Sequence, residues 1–245
     1  MVIARPLWTQ WKASQKASAA SSGETSKIIS AATNNAAWGN LQYIQFNLDP
    51  PADASVRSAP AVPALFVFLL ASKNSDLNSL LQYWGRGGRE TLIRPLLKSL
   101  THNPEPATLN ISHLLPPLAR VKLYTFPKAD EEPDGSGRDS FWGALNFFSD
   151  TPAPPPLDRA AALQRLATEY REELGPKRLG DVLLIKDKSG QPLHCCVHIA
   201  DAVVFTRSGP EPGAPWVLMK FPDLLAKFEP ESSLQITTLR SKRLP

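Results

Sequence analysis

Short apolar runs separated by turn residues dominate residues 179–220. The runs read LGDVLLI, HCCVHIADAVVFT and PWVLMKF, and they are rich in Val, Ile, Leu and Phe. The gaps at 188–190 and 208–214 contain Gly, Pro and Ser, which are typical of connections between strands. This pattern predicts consecutive antiparallel strands in this part of the chain.

The first half of the chain carries its own apolar patterns. Residues 41–48 alternate between apolar and polar, which predicts a strand with one face in water, and residues 64–70 predict a buried strand. Residues 75–84 and 89–100 have leucines at helical spacing and predict two helices. The expected apolar face of the second helix is Leu92, Leu96, Leu97 and Leu100.

The connection between these two helices, Gly85-Arg86-Gly87-Gly88-Arg89, is rich in glycine. A loop of this kind before a helix can bind phosphate through its backbone N–H groups. It lacks the Lys-Ser/Thr ending of a P-loop, and no strand precedes it closely, so a flexible turn is the favoured interpretation. His113, in a short apolar element at 109–115, is favoured as a core or surface residue over a ligand.

Two further helices are predicted before the strands. A polar segment ends at Asp139-Ser140 and runs into FWGALNFF, so either residue is expected to be the N-cap of a short apolar helix. Residues 157–174 predict a longer helix that Gly175 and Pro176 would end. The expected apolar face of this longer helix is Leu163, Leu166, Tyr170 and Leu174.

The order of these features resembles the NlpC/P60 group of papain-like cysteine peptidases. In that group an Asp-Cys pair opens a helix, a Gly-Asp-hydrophobic strand follows, and the catalytic histidine begins the next strand. Here Gly180-Asp181-Val182 and the run that starts at His194 match the later part. The resemblance covers residues 118–228. It implies an α+β fold with a papain-like core, in which the helix with the nucleophile position packs on an antiparallel sheet.

The nucleophile position departs from the family pattern. Ser140 stands where the family has cysteine, and the only cysteines are Cys195 and Cys196. The family mechanism uses a thiolate, paired with an imidazole, that attacks an amide carbonyl. A serine hydroxyl has a far higher pKa, so the resemblance implies an amide hydrolase that is inactive or very slow in this form. Either the protein is a degenerate member or a cysteine has been changed to serine.

The resemblance implies three catalytic residues: Ser140 as the nucleophile position, His194 as the acid–base, and Thr206 as the residue that orients the imidazole. Thr206 is chosen because the family's third polar residue follows the histidine by about a dozen positions. Neither Thr206 nor Arg207 is the His, Asn or Gln that the family usually has. From the residues alone, a structural role is as well supported as a catalytic one: Ser140 as an N-cap serine and His194 as a strand residue.

No cofactor or metal is expected. His194 and His198 are four residues apart, and on a strand this spacing separates them by about 13 Å, too far to share one ion. Neighbouring Cys195 and Cys196 face opposite sides of a strand and therefore complete no metal site. Two adjacent cysteines also exclude a disulfide framework, and both are expected to be reduced and at least partly buried.

Composition restricts the partners. The chain has 245 residues, 42% hydrophobic and 20% charged, which is ordinary for a soluble globular protein. The net charge is +4, and the basic residues are scattered apart from a short basic end at 240–243. No nucleic acid is therefore expected as a partner. The most apolar run, 59–71, is too short for a membrane span, which needs about 20 residues.

Pro116-Pro117 is the expected domain boundary. Residues 1–115 would form a mixed α/β N-terminal region of unknown role, in which 13–22 is either helical or irregular. Residues 116–245 would form the NlpC/P60-like catalytic domain. The first residues lack a signal-peptide pattern. Localisation stays open, and an exported or periplasmic protein would have lost its signal.

Two classes of function remain. The first is an amide or peptide hydrolase of the NlpC/P60 type that acts on bacterial cell-wall (peptidoglycan) peptides, with the Ser140 form inactive. The second is a non-catalytic binding or interaction protein that keeps the fold. A Ser140 hydroxyl close to a His194 ring nitrogen in an open groove favours the first class. A groove filled by Phe141, Trp142 or Trp216 favours the second.

Overall fold

The protein is an α+β chain with antiparallel sheets, which confirms the predicted fold class at that level. The computed structural model describes residues 2–4, 33–50, 61–127, 138–154, 158–209, 213–228 and 233–244. These residues form two compact units. One takes the described residues up to Asn47 together with Pro63–Leu115, and the other takes those of Leu48–Val62 and Pro116–Pro245. The predicted segment at 13–22 lies outside the described residues.

The first unit is built on a sheet of five strands. The strands are β1 (Val2–Ala4), β2 (Thr33–Asn35), β3 (Gly39–Leu48), β4 (Val62–Ala71) and β5 (Ala107–Asn110). Their spatial order is β1-β5-β4-β3-β2. Strands β3 and β4 confirm the two strands predicted from the alternating and the continuous apolar runs. A short 3-10 helix, Ile111–Leu114, follows β5.

The two predicted helices of this unit are present as α1 (Leu77–Trp84) and α2 (Glu90–Thr101). The apolar face predicted for α2 is confirmed at Leu97 and Leu100, which are buried, and is wrong at Leu92, which is 70% exposed. Its buried positions are Ile93, Leu97, Leu100 and Thr101. Arg89, directly before α2, is buried, and its guanidinium donates to the carbonyl oxygens of Trp84 (2.8 Å) and Leu114 (2.6 Å). This use of Arg89 favours the turn interpretation of the glycine-rich loop.

The second unit is built on a sheet of six antiparallel strands. The strands are β6 (Tyr170–Glu172), β7 (Val182–Lys186), β8 (Pro192–Ala200), β9 (Val203–Arg207), β10 (Trp216–Lys220) and β11 (Gln235–Ser241). Their order is β10-β9-β8-β7-β11-β6. The consecutive antiparallel strands predicted for 179–220 are confirmed. The run HCCVHIADAVVFT contains two of them, β8 and β9, joined where Asp201 has a φ of +53°.

Four helices of the second unit belong to the described residues: α3 (Pro117–Lys122), α4 (Ser140–Leu145), α5 (Arg159–Glu169) and α6 (Phe221–Leu225). Helix α4 packs on β8 and β9, and α5 packs beside α4. In the parts of the chain that the structure describes, no helix has the length and apolar character of a membrane span.

The longer helix predicted over 157–174 is confirmed as far as Glu169 and is wrong for the last five residues. Helix α5 ends at Glu169, and Tyr170–Glu172 continues as strand β6. Leu174, expected on the apolar face, is 95% exposed. The pairing of β6 with Leu239–Ser241 of β11 satisfies the backbone groups of this segment, so the chain leaves the helix before Gly175 and Pro176.

Candidate functional site

Ser140 lies at the start of α4, and its hydroxyl contacts strand β8. Asp139 is the N-cap, because its Oδ1 accepts a hydrogen bond from the backbone N–H of Trp142 at 2.9 Å. The Ser140 Oγ accepts a hydrogen bond from the backbone N–H of Cys195 at 3.3 Å. Cys195 directly follows His194 in β8. Two segments 55 residues apart in sequence therefore meet at this position.

Thr206, on the neighbouring strand β9, holds the imidazole of His194. The distance from His194 Nε2 to Thr206 Oγ1 is 2.6 Å. The Thr206 hydroxyl is also 2.8 Å from the carbonyl oxygen of Arg207, which can only accept. We infer that the Thr206 hydroxyl donates to that carbonyl and accepts a hydrogen bond from His194 Nε2–H. Nδ1 is then the unprotonated, basic nitrogen of the ring. Thr206 then determines both the orientation and the tautomer of the ring.

The surroundings of His194 favour a neutral ring. Burial, together with the nearby guanidinium groups of Arg159 and Arg207, lowers the pKa of His194 to about 3. A backbone hydrogen bond with Arg207 acts in the opposite direction. The aromatic ring of Phe228 lies 5.3 Å from the imidazole, centroid to centroid. At neutral pH this imidazole is an uncharged, weak base, and it activates an alcohol poorly.

The expected hydrogen bond between Ser140 and His194 is not observed. Within the described part of the chain, no hydrogen bond joins the Ser140 hydroxyl to the imidazole of His194. The hydroxyl instead accepts a hydrogen bond from the backbone N–H of Cys195, the residue after His194. Phe141, Trp142 and Trp216 are all buried, and the rings of Trp142 and Trp216 meet edge to face at 6.2 Å. The three predicted residues are therefore brought close together without forming a nucleophile–base hydrogen bond.

Gly180 and Asp181, the motif that precedes β7, have structural roles. Gly180 has a φ of +88°, and a Cβ added there would lie 2.0 Å from Phe148 Cε2, so glycine is required at this position. The Gly180 N–H donates to the carbonyl of His198 at 2.9 Å, and the His198 N–H donates to the carbonyl of Asp181 at 2.8 Å. The motif thereby ties the start of β7 to β8.

The Asp181 carboxylate is fully buried and forms a two-pronged ion pair with Arg240. Arg240 Nε donates to Oδ1 at 2.9 Å and Nη2 donates to Oδ2 at 2.6 Å. A third bond comes from the backbone N–H of Arg178 to Oδ2 at 2.8 Å. Sequence reasoning missed this role, because Arg240 was assigned to a basic end. The available signal was a single arginine within the β-branched run QITTLRS.

Arg207 is a second charged residue that the sequence did not identify as structural. It is buried, and its Nε donates to the carbonyl of Ala214 at 3.0 Å while Nη1 donates to the carbonyl of Arg138 at 2.9 Å. Its guanidinium carbon also lies 5.8 Å from the centroid of the Trp216 ring. Arg207 therefore links β9 to the segment just before α4.

Cys195, Cys196 and His198 lie on the same strand as His194 and are buried. Cys195 and Cys196 are free thiols and both are buried, as predicted. Burial raises the pKa of each thiol. His198 is also buried, and its Nε2 has no hydrogen-bond partner among the residues described. The same residues contain no cluster of three or more His, Cys, Asp or Glu side chains placed to hold a metal ion.

Comparison with known proteins adds no relative: no family model, curated protein or solved structure matches this chain. The geometry around Ser140, His194 and Thr206 is therefore the basis for a functional assignment.

Proposed function

We propose that residues 116–245 form the core of an amide hydrolase of the NlpC/P60 type, with cell-wall peptides as natural substrates and with serine at the nucleophile position. The observation that carries the proposal is the contact of Ser140 Oγ with the N–H of Cys195 at 3.3 Å, directly beside His194. The hydrogen bond from His194 to Thr206 supports it, because it orients the imidazole as an acid–base group requires.

A thiol at position 140 would suit this environment better than the hydroxyl does. The N–H of Cys195 points at the side-chain atom of residue 140, and an N–H donor stabilises a thiolate more than a neutral oxygen. A neighbouring thiolate would also favour the protonated imidazole of His194, which could then donate its proton to the leaving amine. With serine, the site has neither an anionic nucleophile nor a strong base, so we expect this form to be catalytically inactive.

The variant Ser140→Cys tests the proposal. We expect one additional thiol to react with iodoacetamide in the native protein, about tenfold faster than the buried Cys195 and Cys196. We also expect hydrolysis of peptidoglycan-derived peptides to exceed that of the parent by about tenfold or more. Ser140→Ala is the matched control and should be silent in both assays. The hydrolase proposal would be wrong if the Ser140→Cys protein folds but neither reacts with iodoacetamide nor hydrolyses any of the peptides.

Thr206 should control the activity of the Ser140→Cys protein through the imidazole. Replacing Thr206 by valine removes the partner of Nε2, so kcat/KM should fall by about tenfold and the pH profile should shift. Thr206→Ser keeps the hydroxyl and should restore both. The measurement is kcat/KM against pH in the Ser140→Cys background. If the valine and serine variants behave alike, Thr206 does not orient the catalytic ring.

A non-catalytic binding role is the second candidate, and a specific feature favours it. The Ser140 hydroxyl is already bound to backbone, and the aromatic residues Phe141, Trp142 and Trp216 are packed in the interior. Beside α4 lies an open groove of about 560 Å³, lined in part by Val121, Trp142 and Pro152. Binding of peptidoglycan fragments by the parent, together with an inert Ser140→Cys variant, would favour this role over hydrolysis.

A further inference from the structure

Arg207 contacts both halves of the proposed site, although it is none of the three residues predicted for it. It directly follows Thr206 in β9, and its side chain is buried. Its guanidinium reaches the segment before α4, where Nη1 donates to the carbonyl oxygen of Arg138 at 2.9 Å. Asp139 and Ser140 follow Arg138 directly. Arg207 therefore connects the strand that holds the imidazole to the segment that carries Ser140.

The backbone of Arg207 acts on the imidazole through Thr206. The carbonyl oxygen of Arg207 accepts the Thr206 hydroxyl at 2.8 Å, and the same hydroxyl lies 2.6 Å from His194 Nε2. A hydroxyl has one proton to donate, so this carbonyl decides in which direction the proton points. A shift of the backbone at residue 207 would therefore move the Thr206 hydroxyl and the ring that it holds.

The guanidinium of Arg207 is held at three points. In addition to the bond from Nη1 to Arg138, Nε donates to the carbonyl oxygen of Ala214 at 3.0 Å. Its Cζ lies 5.8 Å from the centroid of the Trp216 ring. A planar guanidinium that donates from two different nitrogens has little freedom to rotate, so it fixes the carbonyl of Arg138 relative to β9.

The first turn of α4 packs on the same group of side chains. Trp216 meets Trp142 edge to face at 6.2 Å. Gly143 permits the close approach of Trp216, since a Cβ at this glycine would lie 2.3 Å from Trp216 Cη2. The guanidinium carbon of Arg138 lies 5.6 Å from the centroid of the Trp142 ring. Arg207 thus borders the packing that determines where α4 begins.

We propose that Arg207 is a positioning residue that sets the separation between the side chain of residue 140 and the imidazole of His194. It acts through Thr206 on one side and through Arg138 on the other. The inference rests on the hydrolase core proposed above and adds the residue that aligns its two halves. A displacement of about 1 Å between reacting groups can lower a rate about a hundredfold, so Arg207 should affect kcat more than substrate binding.

Hydrogen exchange at the Cys195 amide, measured by NMR on the full Ser140 chain, tests this role without turnover. The Cys195 N–H donates to Ser140 Oγ, so its exchange rate reports that contact directly. The Phe221 N–H, which donates to the carbonyl of Ala202 at 2.7 Å, is the reference within the same compact unit. We expect Arg207→Met to speed exchange at Cys195 about tenfold relative to Phe221. Arg207→Lys should speed it about threefold, because an ammonium keeps the charge and a donor but loses the planar fork.

Arg240→Met is the matched control. Arg240 is also buried and belongs to the same compact unit, and β8 and β7 separate its strand, β11, from β9. A general loss of stability speeds exchange at Cys195 and Phe221 alike, so Arg240→Met should leave their ratio unchanged. Circular dichroism shows whether each variant folds, and Arg207→Lys carries the test if Arg207→Met does not fold.

The outcomes separate this inference from the hydrolase proposal. An unchanged ratio in the folded Arg207 variants, or an equal change in Arg240→Met, would overturn the role of Arg207. Selective exchange at Cys195 together with an inert Ser140→Cys protein would support the placement of residue 140 by Arg207 and count against hydrolysis. If Ser140→Cys is active, adding Arg207→Lys should lower kcat about tenfold and change KM by less than about threefold. An unchanged kcat in that double variant would support hydrolysis and reject the positioning role.

Discussion

Replacing Arg240 by methionine should lower the free energy of unfolding by about 3–5 kcal/mol. The reason is the fully buried carboxylate of Asp181, which would lose the guanidinium group that pairs with it. Arg240 supplies two hydrogen bonds to Asp181, a third from Nη1 to Glu173 at 2.6 Å and a fourth from Nη2 to the carbonyl of Pro176 at 2.9 Å.

Arg243→Met is the matched control for this prediction. Arg243 lies three residues further along, its side chain is 79% exposed, and its ion pair with Glu169 is 3.8 Å long. A surface pair of this kind contributes about 0.5 kcal/mol or less. The double variant Asp181→Asn with Arg240→Met should recover part of the loss, because it also removes the buried charge. Urea unfolding measures all three. If Arg240→Met and Arg243→Met lower the free energy of unfolding equally, the buried ion pair stabilises the fold no more than the surface pair does.

Acidification from pH 6.5 to pH 4 should lower the free energy of unfolding by several kcal/mol. Burial lowers the pKa of His198 to about 4 and that of His194 to about 3, against about 6.5 in an unfolded chain. The nearby Asp181 carboxylate opposes the shift of His198 but does not overcome burial. The unfolded chain therefore binds protons first as the pH falls. Stability is complete above about pH 6.5 and is lost progressively toward the folded pKa, by about 3 kcal/mol for His198.

The slope between pH 6.5 and pH 5 isolates the histidines, because carboxylates titrate mainly near pH 4. His198→Gln should flatten this slope by up to about 1.4 kcal/mol per pH unit. His102→Gln is the control, since His102 is exposed. The measurement is the free energy of unfolding in urea at a series of pH values. A slope that His198→Gln leaves unchanged contradicts the prediction.

Local patterns predicted the elements with strong periodicity or clear ends. The apolar runs of β7 to β10 are bounded by Gly, Pro and Asp, and the structure has strands there. The sequence predicted Asp139 or Ser140 as the N-cap of α4, because short polar side chains hydrogen-bond to backbone N–H groups only a few residues away. The structure has Asp139 as the N-cap. These features depend on residues within a few positions of each other, so a single sequence contains the information for them.

The misjudged elements depend on distant partners. Tyr170–Glu172 has a helical neighbour in sequence but pairs with β11, about seventy residues later, and that pairing decides its conformation. The leucine spacing of α2 predicted the burial of Leu97 and Leu100 correctly but not the exposure of Leu92. For Tyr170–Glu172, hydrogen bonds to β11 outweigh an intrinsic helix preference of under about 1 kcal/mol per residue.

The sequence by itself determined the α+β class, the positions of most strands, the two buried free cysteines and the presence of an oxygen at position 140. The tertiary structure alone decided what that oxygen touches, because Ser140 and Cys195 are 55 residues apart. It also decided that Arg240 neutralises a buried Asp181, across 59 residues. Local chemistry specifies which conformations a segment prefers, whereas the choice of side-chain partners depends on how the whole sheet packs.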